Sequence, residues 1–167
     1  SIEITGNKHA IEIAAKHYPN STIELTTRAE GRTSTKRYWM YNETLTIPAT
    51  LKEEKRESIT EREMTLAFPL DKEGIQGTVF AYLPTEVDSG FPFIINSDFL
   101  LTANRESFQT DKAWNQWLRN EMSDVIVKAI DVMRLQPQYK KTFYSYIPLE
   151  ENIKSLPEYF TPIAKNV

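Results

Sequence analysis

Cysteine is absent from the 167 residues, which removes disulfide staples, thiolate metal sites and thiol nucleophiles at once. Glycine is scarce, with Gly6, Gly31, Gly74, Gly77 and Gly90 making up the full set of 5. None of them forms a Gly-x-Gly, so the chain carries neither a Walker loop nor a dinucleotide fingerprint. Without such glycines, backbone amides do not come close to phosphates, and the chain alone is not expected to bind ATP tightly. Asp88-Ser89-Gly90 runs into Phe91-Pro92 and so is not the Asp-x-Gly-x-Gly of an ATPase lid. The 2 histidines, His9 and His17, have no helical face that would bring them to a third ligand, so no metal site is expected. A Gly-x-Ser-x-Gly elbow is missing, and neither histidine lies in a triad context, which leaves serine catalysis without a scaffold. No apolar run is long enough for a bilayer, and no signal peptide is visible. The sequons Asn20-Ser21-Thr22 and Asn42-Glu43-Thr44 are of a kind that arises by chance. Together these absences point to a reduced, cytoplasmic protein.

Hydrophobic residues make up 40% and charged residues 26%, a globular balance. The net charge of −3 and the pI of about 5.5 disfavour general nucleic-acid binding, which relies on cationic neutralisation of phosphates. The length fits a single domain over residues 1–167 that buries roughly two-thirds of its unfolded surface. Residues 1–135 are expected to hold the main sheet and helices, and 136–167 a C-terminal extension. The chain opens directly on Ile2-Glu3-Ile4 and closes soon after a proline-containing segment. Both ends are those expected of a piece cut from a longer polypeptide.

Asn7 is placed to cap a short helix over residues 9–17, with Ile11, Ala14, Ala15 and Tyr18 on one face and Pro19 as its stop. Residues 21–27 alternate as a strand, and so do 37–47, where Trp39, Tyr41, Leu45 and Ile47 share a face. Residues 48–62 are dense in charge and read as a solvated helix or loop. Met64, Leu66 and Phe68 mark a further strand over 64–70. Residues 77–83 are apolar on both faces, as in a central covered strand. The turn chemistry of 71–76 predicts an antiparallel hairpin between these two. Residues 91–101 form a third apolar run. A long amphipathic helix is predicted over 112–135, with Trp114, Trp117, Leu118, Met122, Val125, Ile126, Ala129, Ile130 and Met133 at helical spacing and Pro137 beyond it. The tail predicts an extended segment and one short helix near 150–156. The fold class is therefore α+β, a mixed sheet with a hairpin packed by a long helix.

Residues 102–109 (TANRESFQ) lie between an apolar run and this helix. An arginine and a glutamine four positions apart, Arg105 and Gln109, suit contact with a phosphate and the water that attacks it. The plainer alternative is a loop arginine paired with Glu106 or Asp98.

Several stretches, in order, are similar to a segment of sacsin-type and related plant and microbial proteins that carry a heat-shock-protein-90-like ATPase lobe. They are Phe80-Ala81-Tyr82-Leu83-Pro84-Thr85-Glu86, Gly90-Phe91-Pro92-Phe93-Ile94-Ile95, Asp98-Phe99, Ala103-Asn104-Arg105-Glu106 and Trp114-Asn115. The segment resembles the first part of the middle domain of the ninety-kilodalton heat-shock chaperones, where a Ser-Arg-Glu loop precedes a helix. Asn104 stands in place of that serine, and Thr102 in place of an asparagine. The resemblance implies that Arg105 contacts the ATP γ-phosphate and that Gln109 falls at the chaperones' glutamine. It implies ATP and magnesium held only by a preceding nucleotide-binding lobe of the same polypeptide, with client proteins as further partners and no nucleic acid or membrane. The domain would be non-catalytic alone. The other reading is a protein–protein interaction module docking through Trp39, Tyr41 or the aromatics of 143–146.

Overall fold

A computed structural model of the chain describes residues 2–5, 10–54, 56–71 and 77–167, with the backbone alone for 2–5 and for residue 10. Among the described residues, eight strands hydrogen-bond side by side into one sheet. They are β1 (Ile2–Thr5), β2 (Ala10–Tyr18), β3 (Thr22–Ala29), β4 (Arg32–Thr46), β5 (Glu61–Pro69), β6 (Thr78–Ala81), β7 (Leu83–Asp88) and β8 (Ile94–Asn96). Their order across the sheet is β1-β2-β3-β4-β5-β8-β6-β7. Every pairing is antiparallel except β6 with β8, which is parallel. The sheet is mixed and the class α+β, as the sequence patterning predicts.

The long helix α1 (Ala113–Leu135) forms where its periodicity places it. Its stripe, from Trp114 through Leu118, Met122, Ile126 and Ala129 to Met133, is buried. Odd-numbered Trp39 and Leu45 of β4 share the inner face with Met64, Leu66 and Phe68 of β5, Ile95 of β8 and Val79 of β6. All belong to one buried cluster with the α1 stripe. At about 25 cal/mol per Å² of apolar surface removed from water, this layer is the main source of the fold's stability. Pro137 lies just past the helix end and cannot continue it.

Three expectations are corrected. Residues 10–18 are strand β2, not a helix, and the cap Asn7 and residue 9 lie outside the described residues. Ile11 and Ala15 fit a helical face and an alternating one equally, whereas Tyr18 fits only the helical one. Pairing with β3 over Ile11↔Ala29 to Tyr18↔Thr22 decides between them. Second, β5 and β6 do not form a hairpin. Strand β8 lies between them, antiparallel to β5 and parallel to β6. A three-residue strand drawn in from further along the chain fills the slot that a local turn would have closed, and the turn-like residues 72–76 lie outside the described set. The covered run also stops early. The chain reverses at Tyr82, which has φ 63°, and Tyr82 and Leu83 stand 69% and 65% exposed.

Third, the tail is more ordered than an extended segment with one short helix near 150–156, and its helix lies further on. Two 3-10 turns (Phe143–Tyr146 and Glu150–Asn152) lead to a second helix, α2 (Pro157–Asn166). Pro157 occupies the first turn, where its missing N–H costs nothing. Tyr159, Phe160 and Ile163 of α2 enter the same buried cluster as the sheet and α1. The residues read as an extension are thus part of the core.

Candidate functional site

The loop after β8 is held on every side. Leu101 and Phe108 bridge its base, and the rings of Phe99 and Phe108 stack at 4.6 Å. Gln109 N donates to Leu100 O at 3.0 Å, and Thr102 N to Ser107 O at 2.9 Å. Arg105 N donates to Thr102 O at 2.9 Å, closing a turn whose tip is Ala103-Asn104. Within the turn, Thr102 Oγ1 donates to Asn104 Oδ1 at 2.6 Å. Glu106 N donates to the same Asn104 oxygen at 3.3 Å.

Beneath the loop sits Asn115, a fully buried amide on the apolar face of α1. Its Oδ1 accepts from Leu100 N at 2.9 Å. Its Nδ2 donates to Leu100 O at 2.8 Å and to Gln109 O at 2.9 Å. Tyr159 of α2 completes the bracket by donating its hydroxyl to Asn115 O at 2.5 Å. Burial pushes the Tyr159 phenol well up from its ordinary value, so it remains a donor.

A second bracket holds the strand side. Asp98, 6% exposed, accepts from Arg56 at 2.7 and 2.6 Å and from Arg62 at 2.7 Å. Trp114 Nε1 donates to Asp98 O at 2.7 Å, and the Arg56 guanidinium lies 5.0 Å from the Trp114 ring centroid. The bond to Asp98 raises the Arg56 pKa above its ordinary value. Arg56 therefore turns inward, although it comes from the run read as solvated. Such a two-on-one arrangement satisfies the buried carboxylate and leaves one positive charge in excess.

On this base Arg105 is exposed and has φ 61°. A left-handed backbone costs a residue with a Cβ about 1–2 kcal/mol. It persists only where the surroundings over-determine it, and it is the kind of strain that gathers at functional sites. The two carboxylates that would neutralise Arg105 locally are engaged elsewhere. Asp98 is taken by Arg56 and Arg62, and the Glu106 carboxylate accepts from Asn104 Nδ2. Gln109 lies close behind but is already committed, with Nε2 donating to Leu101 O at 2.6 Å. In this arrangement it holds the base of the loop. The loop is also tied to β7, where Glu86 N donates to Glu106 O at 3.2 Å.

The aromatics of the alternative reading divide differently. Trp39 and Tyr146 are 2% and 7% exposed and belong to the core, while Tyr144 stands 63% exposed. His17 is an exposed strand residue, and His9 lies outside the described residues. The residues that sequence reasoning passed over are those of the brackets: Arg56, Arg62 and Asn115. One signal for Asn115 was legible, because an amide on an otherwise apolar helix stripe must find partners inside.

No protein-family model matches the chain, and no solved structure matches it. It is 31% identical to Protein NO VEIN of Arabidopsis thaliana over an alignment of 124 positions that covers 67% of the chain. The chain spans 4% of that protein's length.

Proposed function

We propose that this domain is the middle segment of a larger heat-shock-protein-90-like ATPase, inert alone, that presents Arg105 to the γ-phosphate of ATP held by a preceding nucleotide-binding lobe. The observation that carries the reading is the exposed Arg105, set on a doubly bracketed turn with its neighbouring carboxylates already engaged. The turn fixes where the Arg105 backbone stands, and among the described residues the guanidinium has no ion pair to give up before it meets a phosphate. The nucleotide and magnesium belong to the lobe, and the polypeptide works in the cytoplasm on client proteins. Gln109 serves first as a positioning residue. To orient water, its amide would have to release Leu101 O.

In the full-length protein, Arg105→Ala should lower ATP turnover by about 10³-fold or more, the scale of an arginine finger. The domain's circular dichroism and melting point should stay unchanged. Turnover within twofold of the parent would remove the proposal. The competing reading, an interaction module without a nucleotide role, predicts that unchanged turnover.

A further inference from the structure

We infer that the free edge of β4 over residues 40–46 is a docking site for an extended, basic polypeptide segment that adds to the sheet as a strand. β4 pairs with β3 only through Arg32↔Ala29 to Trp39↔Thr22, and with β5 through Tyr38↔Pro69 to Thr46↔Glu61. Among the described residues, 40–46 therefore have a strand partner on one side only.

The hydrogen-bond phase shows which groups are left over. Leu70 N reaches Arg37 O and Ile47 N reaches Thr60 O, both at 2.8 Å, so odd residues of β4 face β5. Even residues face the other way, and Met40 N does so, donating to Ser21 O at 2.7 Å. Asn42, Thr44 and Thr46 thus turn their backbone N–H and C=O groups outward, at the spacing that another strand matches. An unpaired edge of this kind selects an extended backbone over other ligand chemistry.

A groove of about 680 Å³ opens at the start of this edge, between the β2–β3 turn and the last turns of α1. Met40, Tyr41 and Asn42 line it on the strand side, and Val132 and Gln136 on the helix side. Val132 is 42% exposed, which provides apolar contact for alternate side chains of an added strand. Thr22 also lines the groove. It is 7% exposed, and its Oγ1 has no hydrogen-bond partner among the described residues, so the floor of the groove keeps one unmatched polar group.

Charge sets the sign of the occupant. Lys128 of α1 bonds Glu43 at 2.7 Å and also feels Asp124 and Glu121 on its own helix. One ammonium thus stands against one carboxylate in contact and two more along its own helix at the far end of the edge. Glu63 and Glu61 stand across from Thr44 and Thr46 on β5. The excess is negative, so lysine or arginine side chains on the added strand are favoured there.

The test uses the intact chain and fluorescein-labelled peptides of about seven residues, one alternating lysine with valine and one alternating glutamate with valine. Anisotropy should show saturable binding of the lysine peptide at least fivefold tighter than the glutamate one. Amide hydrogen exchange at Asn42, Thr44 and Thr46 should slow when the lysine peptide is bound. Thr44→Pro removes an outward N–H while leaving the β5 ladder intact, and it should weaken binding at least tenfold. The pair Glu121→Gln and Asp124→Asn should at least halve the preference for lysine. Absence of saturable binding, or unchanged exchange at the three amides in the parent chain, would overturn the inference even if Thr44→Pro does not fold. So would exchange at those amides that is already slow through self-association.

Discussion

Asn115 shows how much one side chain can organise. Its amide makes three hydrogen bonds to the backbone of Leu100 and Gln109, and its own carbonyl receives Tyr159. Truncation leaves a buried N–H and two buried carbonyls without those partners, and an unmade buried hydrogen bond costs about 1–3 kcal/mol. Asn115→Ala is therefore expected to destabilise the domain by about 2–4 kcal/mol, measured by urea titration. Wherever Arg105 matters to turnover, the same variant should lower it, because the base of its turn is released. Arg105 itself illustrates the opposite economy. Its backbone is strained at φ 61°, and among the described residues the exposed side chain makes no ion pair that would explain the strain.

Among the elements, the junction between the β7–β8 turn and the tail is the tightest. Gly90 has φ +74°, and a Cβ built there would lie 2.0 Å from Asn152 O. Both the left-handed backbone and the contact oppose any side chain. Gly90→Ala should therefore displace the 3-10 turn at 150–152 and loosen α2. The expected cost is about 2–4 kcal/mol, with earlier proteolysis in the tail as the second readout. Sequence patterning reveals the elements whose residues bury one face each. The stripe of α1 and the alternation of β4 and β5 are plain in the chain. Hidden from it are the features set by distant partners. β2 becomes a strand because β3 lies alongside, and β8 enters between β5 and β6 from further along the sequence. The same division holds at the site. Arg105 and Gln109 stand out by spacing, whereas Arg56, 42 residues from Asp98, is linked to it only by folding.

For the molecule as a whole, acid is the informative stress. The hydrogen bond from Lys128 holds the Glu43 carboxyl below its ordinary range, and the bond from Arg37 does the same for Asp71. A carboxylate with a lowered folded pKa adds stability that is complete above its unfolded value, about 4. That stability is lost as pH falls through the folded values. The melting temperature should therefore decline from about pH 4.5 downward. In a Glu43→Gln, Asp71→Asn variant the decline should be shallower, as followed by calorimetry at stepped pH. Both pairs lie on β4 or touch it, and β4 is the element common to the two parts of the sheet. Its residues 32–36 pair with β3 alone among the described residues, and its later residues join the buried cluster that α1 covers. Fifteen residues of unbroken strand, roughly 50 Å long at full extension, join the two without a hinge. The outer hairpins and the floor of the core thus share one continuous length of backbone.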